Sequence, residues 1–184
     1  MDDLFSVVGK TAVVTGGSRG IGLMIARGLV EGGARVFVSS RKAEACQRVA
    51  EQLSEVGECV ALPADLSGEA ACRRLAAEVG EREQAVQVLV NNAGATWGAA
   101  LEEYPGAAWD KLLDLNLKGP FFLTRAMLPL LEAGAGPGDP ARVINVGSID
   151  GLRVPPMPTY AYSASKAGLH HLTRVLAREL GPRG

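Results

Sequence analysis

The sequence predicts a doubly wound α/β fold, a parallel sheet with helices on both faces. Three observations carry that prediction. Short β-branched runs alternate strictly with longer helical patterns along the 184 residues, as a parallel sheet with crossover helices requires. The first run is apolar at successive positions, as a strand covered on both faces must be. A glycine-rich turn, TGGSRGIG over residues 15–22, then joins that run to a helical pattern.

The elements follow in order. Residues 10–15 (KTAVVT) form the first strand. The next helix carries Ile21, Ile25 and Leu29 on one stripe and closes at Gly32-Gly33, because glycine is favoured just past a helix end. Strand two covers 35–40 (RVFVSS), a helix covers 42–54, and strand three covers 58–62 (ECVAL). A helix over 69–82, strand four over 86–90 (VQVLV) and a longer helix over 107–131 come next. Strand five at 142–146 (RVINV) and a last helix over 162–180 complete five strands and five helices. Residues 133–140 (AGAGPGDP) lie between elements and form a surface loop. No internal repeat is present, so residues 1–184 count as one domain.

Composition narrows the class. With 47% hydrophobic residues, 21% charged and a net charge of −1, the chain is not disordered and offers no basic face to nucleic acid or an anionic membrane. No apolar run approaches the ~18 residues of a membrane helix. Residues 1–5 (MDDLF) lack the basic start of a secretory signal. Cys46, Cys59 and Cys72 form no CxxC pair and are odd in number, which points to reduced thiols in a cytoplasmic protein. None has a ligand partner at metal spacing, so packing accounts for them and no metal is expected.

In the turn, Gly16, Gly20 and Gly22 enclose Ser18, Arg19 and Ile21. Glycine tolerates positive φ, and its missing side chain lets a pyrophosphate approach the backbone. The helix beyond presents free N–H groups and the positive end of its dipole. The spacing is neither GxGxxG nor a P-loop, so these residues admit a ligand-free βα turn as well as a dinucleotide turn of the Rossmann type. A site for NAD places a carboxylate at the end of strand two to hold the ribose 2′-hydroxyl. Ser39-Ser40-Arg41-Lys42 carries none. Arg41 and Arg19 suit a 2′-phosphate, which favours NADP(H); Arg41 and Lys42 equally suit the solvated start of a helix.

Of the lysines, only Lys166 has a tyrosine four residues before it, Tyr162. On a helix these share a face, and a cation beside a phenol favours the phenolate, which suits proton exchange with a carbonyl or alcohol oxygen. The pair by itself also fits a chance arrangement on a solvated helix. Ser148 stands at the C-terminal end of strand five, the rim of the sheet where ligands bind. His170 and His171 are adjacent on the last helix, point different ways and fit a plain helix-face role. Trp97 suits either a substrate cleft or packing.

Taken together these residues resemble the short-chain dehydrogenase/reductase family over nearly the whole chain. The resemblance rests on TGGSRGIG at 15–22, Asp65-Leu66 after strand three, Asn91-Asn92-Ala93-Gly94 after strand four, Asn116 in the long helix, Ser148, and YSASK at 162–166. Within the family, residues 95–102 (ATWGAALE) are similar to bacterial 3-oxoacyl reductases of the rhamnolipid-associated branch. The resemblance implies NADPH-dependent hydride transfer to a carbonyl such as a 3-oxoacyl thioester. Tyr162 would be the proton donor, Ser148 the hydrogen-bond partner of the substrate oxygen, and Lys166 the holder of the nicotinamide ribose. Asn116 would anchor a water through its main-chain carbonyl, and Pro120, four residues on, has no N–H to occupy that carbonyl. Gly16, Ser18, Arg19, Gly20, Ile21, Gly22, Arg41, Asp65, Leu66, Asn92, Ala93 and Gly94 would line the cofactor with Tyr162 and Lys166.

Leu112, Leu113, Leu115, Leu117, Phe121, Phe122 and Leu123 spread around the long helix, and Leu169, Leu172, Leu176 and Leu180 mark the last one. Such helices want a second partner, and the resemblance implies a homodimer or homotetramer. The family is longer and adds two strands and a substrate lid after the last helix seen here. Without them strand five is expected to be an open edge. A nucleotide-binding or oligomerising module without turnover is therefore the alternative to a reductase.

Overall fold

In a computed structural model, which describes residues 5–184, Ala12, Val13 and Val14 are completely buried. They lie in β1 (Thr11–Thr15), the central strand of a five-stranded sheet. The other strands are β2 (Arg35–Ser39), β3 (Cys59–Ala61), β4 (Val88–Asn91) and β5 (Arg142–Asn145). They run in the order β3-β2-β1-β4-β5, and every neighbouring pair is parallel. The reading of the Met1–Leu4 start lies outside the described residues.

The helices are α1 (Gly20–Glu31), α2 (Ala43–Leu53), α3 (Glu69–Gly80), α4 (Gly106–Leu113), α5 (Gly119–Gly134) and α6 (Tyr160–Leu180). Alternate residues of each strand feed two cores. Ala12, Val14, Val36 and Val38 pack with Ala26 and Val30 of α1 and with Val49 and Leu53 of α2. Val13, Phe37 and Leu89 pack with Leu75 and Val79 of α3 and with Leu123, Met127 and Leu131 of α5. Fully burying one such aliphatic side chain contributes about 1.5–3 kcal/mol.

Three expectations need correction. The long helix is not one α-helix: α4 and α5 are joined by a π-helical turn, Asp114–Lys118. There Gly119 N–H donates to the Asp114 carbonyl, and Pro120, which has no N–H, sits in the first turn of α5. On α1 the fully buried positions are Gly22, Ala26 and Val30; of the expected stripe, Ile25 and Leu29 pack half-buried against the same core and Ile21 lies outside it. Small residues face inwards because α1 lies close against the glycine turn, and Ile21 is left 62% exposed. Finally α6 begins at Tyr160, two residues before the expected start.

β5 pairs with β4 alone among the described residues, and Ile144 on it is 47% exposed. The predicted edge is thus present. Buried polar bonds hold β5 in place. Asn91 Nδ2 donates to Thr124 Oγ1 at 3.2 Å and to Asn145 Oδ1 at 2.8 Å, and Asn145 Nδ2 donates to Thr173 Oγ1 at 2.9 Å. This chain ties β4 and β5 to α5 and α6 at the C-terminal end of the sheet.

Candidate active site

The strand order reverses direction between β1 and β4, and in such sheets a crevice opens beyond the carboxyl ends of the strands at that point. The loops leaving β1 and β4 meet there. Gly16 and Gly20 have φ of 64° and 54°, the left-handed region that favours glycine. A Cβ on Gly22 would overlap the Asn92 amide and the Gly16 carbonyl. The α1 N-terminus has no side-chain cap and no acidic residue in its first turn, so its free N–H groups and dipole are available to an anion.

Thr15 fastens the β4 loop to this turn. Its hydroxyl accepts from Asn92 N–H at 3.0 Å and Ala93 N–H at 2.9 Å while donating to the Val90 carbonyl at 3.2 Å. Asn92 Nδ2 returns a bond to the Thr15 carbonyl at 2.9 Å. These four bonds fasten the two loops to each other.

A cleft of about 520 Å³ extends from Gly16 and Gly94 to the start of α2. Arg19, Arg41, Lys42 and Arg48 line it, with no carboxylate among its walls. Ser39 lines it with a buried hydroxyl that has no partner among the described residues. This charge pattern fits a phosphate on the ribose better than a free 2′-hydroxyl. Leu66 lines the cleft as expected, whereas Asp65 turns to accept from Ser67 N–H at 3.1 Å and is absent from the walls. Arg48 escaped sequence reasoning. Its spacing gave no signal: Arg41 precedes α2 and Arg48 lies within it, and only the folded cleft brings the two together.

The second half of the site lies between β5 and α6. Lys166 is 5% exposed, donates from Nζ to the Val146 carbonyl at 2.7 Å, and lies 5.9 Å from the centre of the Tyr162 ring. Burial holds its pKa below the ordinary lysine value. Asn116, in the π turn and 1% exposed, uses its side chain fully. Its Oδ1 accepts from Ala95 N–H at 2.9 Å, and its Nδ2 donates to the Ala95 carbonyl at 2.9 Å and to Ser165 Oγ at 3.0 Å. Ser165 in turn donates to the Tyr162 carbonyl at 2.7 Å. A Cβ on Gly94 would lie 3.3 Å from Asn116 Oδ1 and 3.8 Å from Lys166 Nζ. Gly94 is thus shared by the basic cleft and the Lys166 environment.

Ser148 ends the segment that follows β5. Its Oγ accepts from Asp150 N–H at 3.2 Å, so its own O–H remains free to donate. Its backbone N–H donates to His170 Nε2 at 3.4 Å, which removes His170 from the plain helix-face role expected of it. A Cβ on Gly151 would come within 2.8 Å of the α6 backbone at Lys166 and Ala167. These contacts press the whole segment onto α6. A larger apolar cleft of about 920 Å³ lies alongside, bounded by Leu101, Trp109, Leu152, Val154 and Met157. Trp97, which suited either a substrate cleft or packing, is half-exposed outside its walls. Among the described residues no group of three or more His, Cys, Asp or Glu side chains is placed to hold a metal ion.

A parallel sheet with a basic cleft at its switch point, and the Tyr162–Lys166 pair beside it, is the arrangement expected of a nucleotide-dependent oxidoreductase. The chain belongs to the short chain dehydrogenase family, whose model matches residues 10–184. It is 53% identical over 180 residues to the rhamnolipids biosynthesis 3-oxoacyl-[acyl-carrier-protein] reductase of Pseudomonas aeruginosa, covering 98% of this chain and 70% of that protein. The structure of the Pseudomonas aeruginosa RhlG/NADP active-site complex superposes with a TM-score of 0.95 at 53% identity, over 97% of this chain and 70% of that one. A metagenomic short-chain oxidoreductase in complex with NADP has a TM-score of 0.87 at 39% identity, over 97% of this chain and 79% of that one.

Proposed function

We propose that this chain is an NADPH-dependent reductase of a 3-oxoacyl thioester or related ketone, with Tyr162 as proton donor. The observation that carries the reading is the position of Lys166: its buried ammonium faces Gly94, a wall of the basic cleft, one helical turn from Tyr162. The nucleotide cleft and the Tyr162–Lys166 pair are thereby parts of one site. The relatives named above, two of them in NADP complexes and one a 3-oxoacyl reductase, support both the cofactor and the substrate class.

The residues present fit NADP(H). Gly16, Gly20 and Gly22, with Ser18, Arg19 and Ile21, would take the pyrophosphate at the α1 N-terminus. Arg19, Arg41 and Arg48 would take the 2′-phosphate, and Leu66, Ala93 and Gly94 would flank the adenosine half. NADPH, when held there, would supply the hydride that reduces the carbonyl carbon. The Tyr162 phenol gives its proton to the carbonyl oxygen, which becomes an alcohol, and the adjacent Lys166 charge stabilises the phenolate left behind. The Ser148 hydroxyl, with one lone pair occupied by Asp150 N–H, donates to the same oxygen. Pro120 offers no i+4 N–H to the Asn116 carbonyl, which would hold a water that returns a proton towards Lys166.

The same reading includes a cytoplasmic homodimer or homotetramer. The three free cysteines are all buried and accord with a reducing compartment. Trp109 on α4 and Val175 on α6 stay 37% and 52% exposed on helices suited to a second copy.

Loss of NADPH absorbance with acetoacetyl-CoA, measured beside NADPH binding by fluorescence, tests the proposal. Tyr162→Phe is expected to lose at least about 100-fold in turnover, the range of a general acid, while binding NADPH normally. Turnover unaffected by Tyr162→Phe would overturn the assignment, and NADPH binding without turnover of any 3-oxoacyl thioester would reduce the chain to a nucleotide-binding module.

A further inference from the structure

His170 lies one turn beyond Lys166 on α6, and its side chain is turned to the segment after β5. Three observations meet at this imidazole. Nε2 accepts the Ser148 N–H at 3.4 Å. A Cβ on Gly147 would overlap Nε2 and lie 2.8 Å from Cδ2, so the ring fills the space that glycine leaves. Nδ1 is buried with no partner among the described residues. An accepting Nε2 requires the neutral ring with its proton on Nδ1, and that proton is left unbonded in the interior. Leaving a buried donor unsatisfied is costly, so a purely space-filling role would be better served by an apolar side chain.

We propose that His170 is a positioning residue for the proposed reduction: by accepting the Ser148 N–H, with Gly147 admitting its ring, it fixes where the Ser148 hydroxyl meets the substrate oxygen. The inference rests on the reading that Ser148 serves that oxygen. The geometry explains why two separate bonds converge on one residue. Asp150 N–H orients the Ser148 hydroxyl from one side, and His170 holds its main chain from the other. Hydrogen-bond donors aimed at developing charge act through such preorganisation, and small displacements are expensive.

The test compares His170→Leu and His170→Gln with the unmodified protein, because the Gln carbonyl can replace the acceptor and Leu cannot. Two readouts are taken: hydrogen–deuterium exchange at the Ser148 amide, and kcat and KM with NADPH and acetoacetyl-CoA. In His170→Leu the Ser148 amide is expected to exchange about tenfold faster and kcat to fall by a similar factor, the scale of one hydrogen bond. KM for NADPH stays unchanged, amides in β1 and β4 keep their protection, and His170→Gln recovers part of both losses. Unchanged Ser148 exchange, faster exchange with an unaltered kcat, general loss of protection, or no recovery with Gln would each overturn the proposal. A Ser148→Ala control separates the two readings. If it loses turnover, adding His170→Leu must cost nothing further, and an additive loss rejects the positioning role alone. If it keeps full turnover, Ser148 has no part in the reaction and both readings fall.

Discussion

The Lys166 ammonium donates to the Val146 carbonyl across 2.7 Å, joining the middle of α6 to the residue that follows β5. This bond spans the site: Val146 precedes Gly147 and Ser148, and Lys166 follows Tyr162 by one turn. It also holds a charge where burial disfavours it, and that cost has a measurable pH signature.

Because the folded-state pKa of Lys166 lies below that of an exposed lysine, about 10.4, the unfolded chain binds the proton more tightly. Stability attributable to this group therefore rises with pH between the folded value and about 10.4, and the full penalty applies below that window. Lys166→Met removes the group. The difference in unfolding free energy, wild type minus Lys166→Met, is expected to grow between pH 7 and 10 in denaturant titrations; a flat difference would refute the linkage. Turnover should be lost at every pH.

Asn116→Ala strips both polar groups of Ala95 of their side-chain partner and frees Ser165 Oγ. The loss expected is about 1–3 kcal/mol, read as a lower midpoint in urea, with a fall in kcat because the loop at Gly94 loosens beside Lys166. A variant as stable and active as wild type would show the amide to be dispensable.

Two glycines of α1 make opposite predictions. Gly22→Ala forces a methyl onto the Asn92 amide and the Gly16 carbonyl, at a cost of about 1–3 kcal/mol and with weaker NADPH binding. Gly28→Ala meets nothing within 4 Å and should stabilise by about 0.4–1 kcal/mol with binding unchanged. Thermal melts and NADPH titrations of the pair check both signs.

Arg41→Ala removes a cation from the mouth of the cleft. NADPH affinity should fall by about 1.5–3 kcal/mol, as for a lost charged hydrogen bond, while NADH affinity barely moves. Arg48→Ala should act in the same direction but less, because Arg48 is 66% exposed and already lies 3.8 Å from Glu44. Equal losses for both nucleotides would place the 2′-phosphate elsewhere.

Much of this arrangement was legible in residue spacing. Short continuous apolar runs disclosed the strands and a period of three to four residues the helices, and element ends differed by one to three residues, as assigned ends do. Tyr162 and Lys166 are four apart on one helix, so their pairing needed no tertiary information. The inward face of α1 was misjudged because hydrophobicity ranks Ile21 above Gly22, whereas the close approach of two loops selects the residue without a side chain. The π turn was half visible: Pro120 announced a break in the ladder, but whether the chain kinks or widens depends on what surrounds it.

The sequence by itself determined the alternation of strand and helix, the glycine turn, the lack of a carboxylate after β2 and the Tyr162–Lys166 pair, because each is a matter of neighbours along the chain. Only the tertiary structure decided that Asn116 secures Ala95 through its side chain, that Arg48 joins Arg41 in the cleft, and that His170 grips Ser148 across the space left by Gly147. The Asn116 and His170 contacts join residues about twenty positions apart, and Arg48 meets Arg19 and Gly94 only across the cleft. Their partners are set by which strands pair and how closely the helices approach, and no local period encodes those choices.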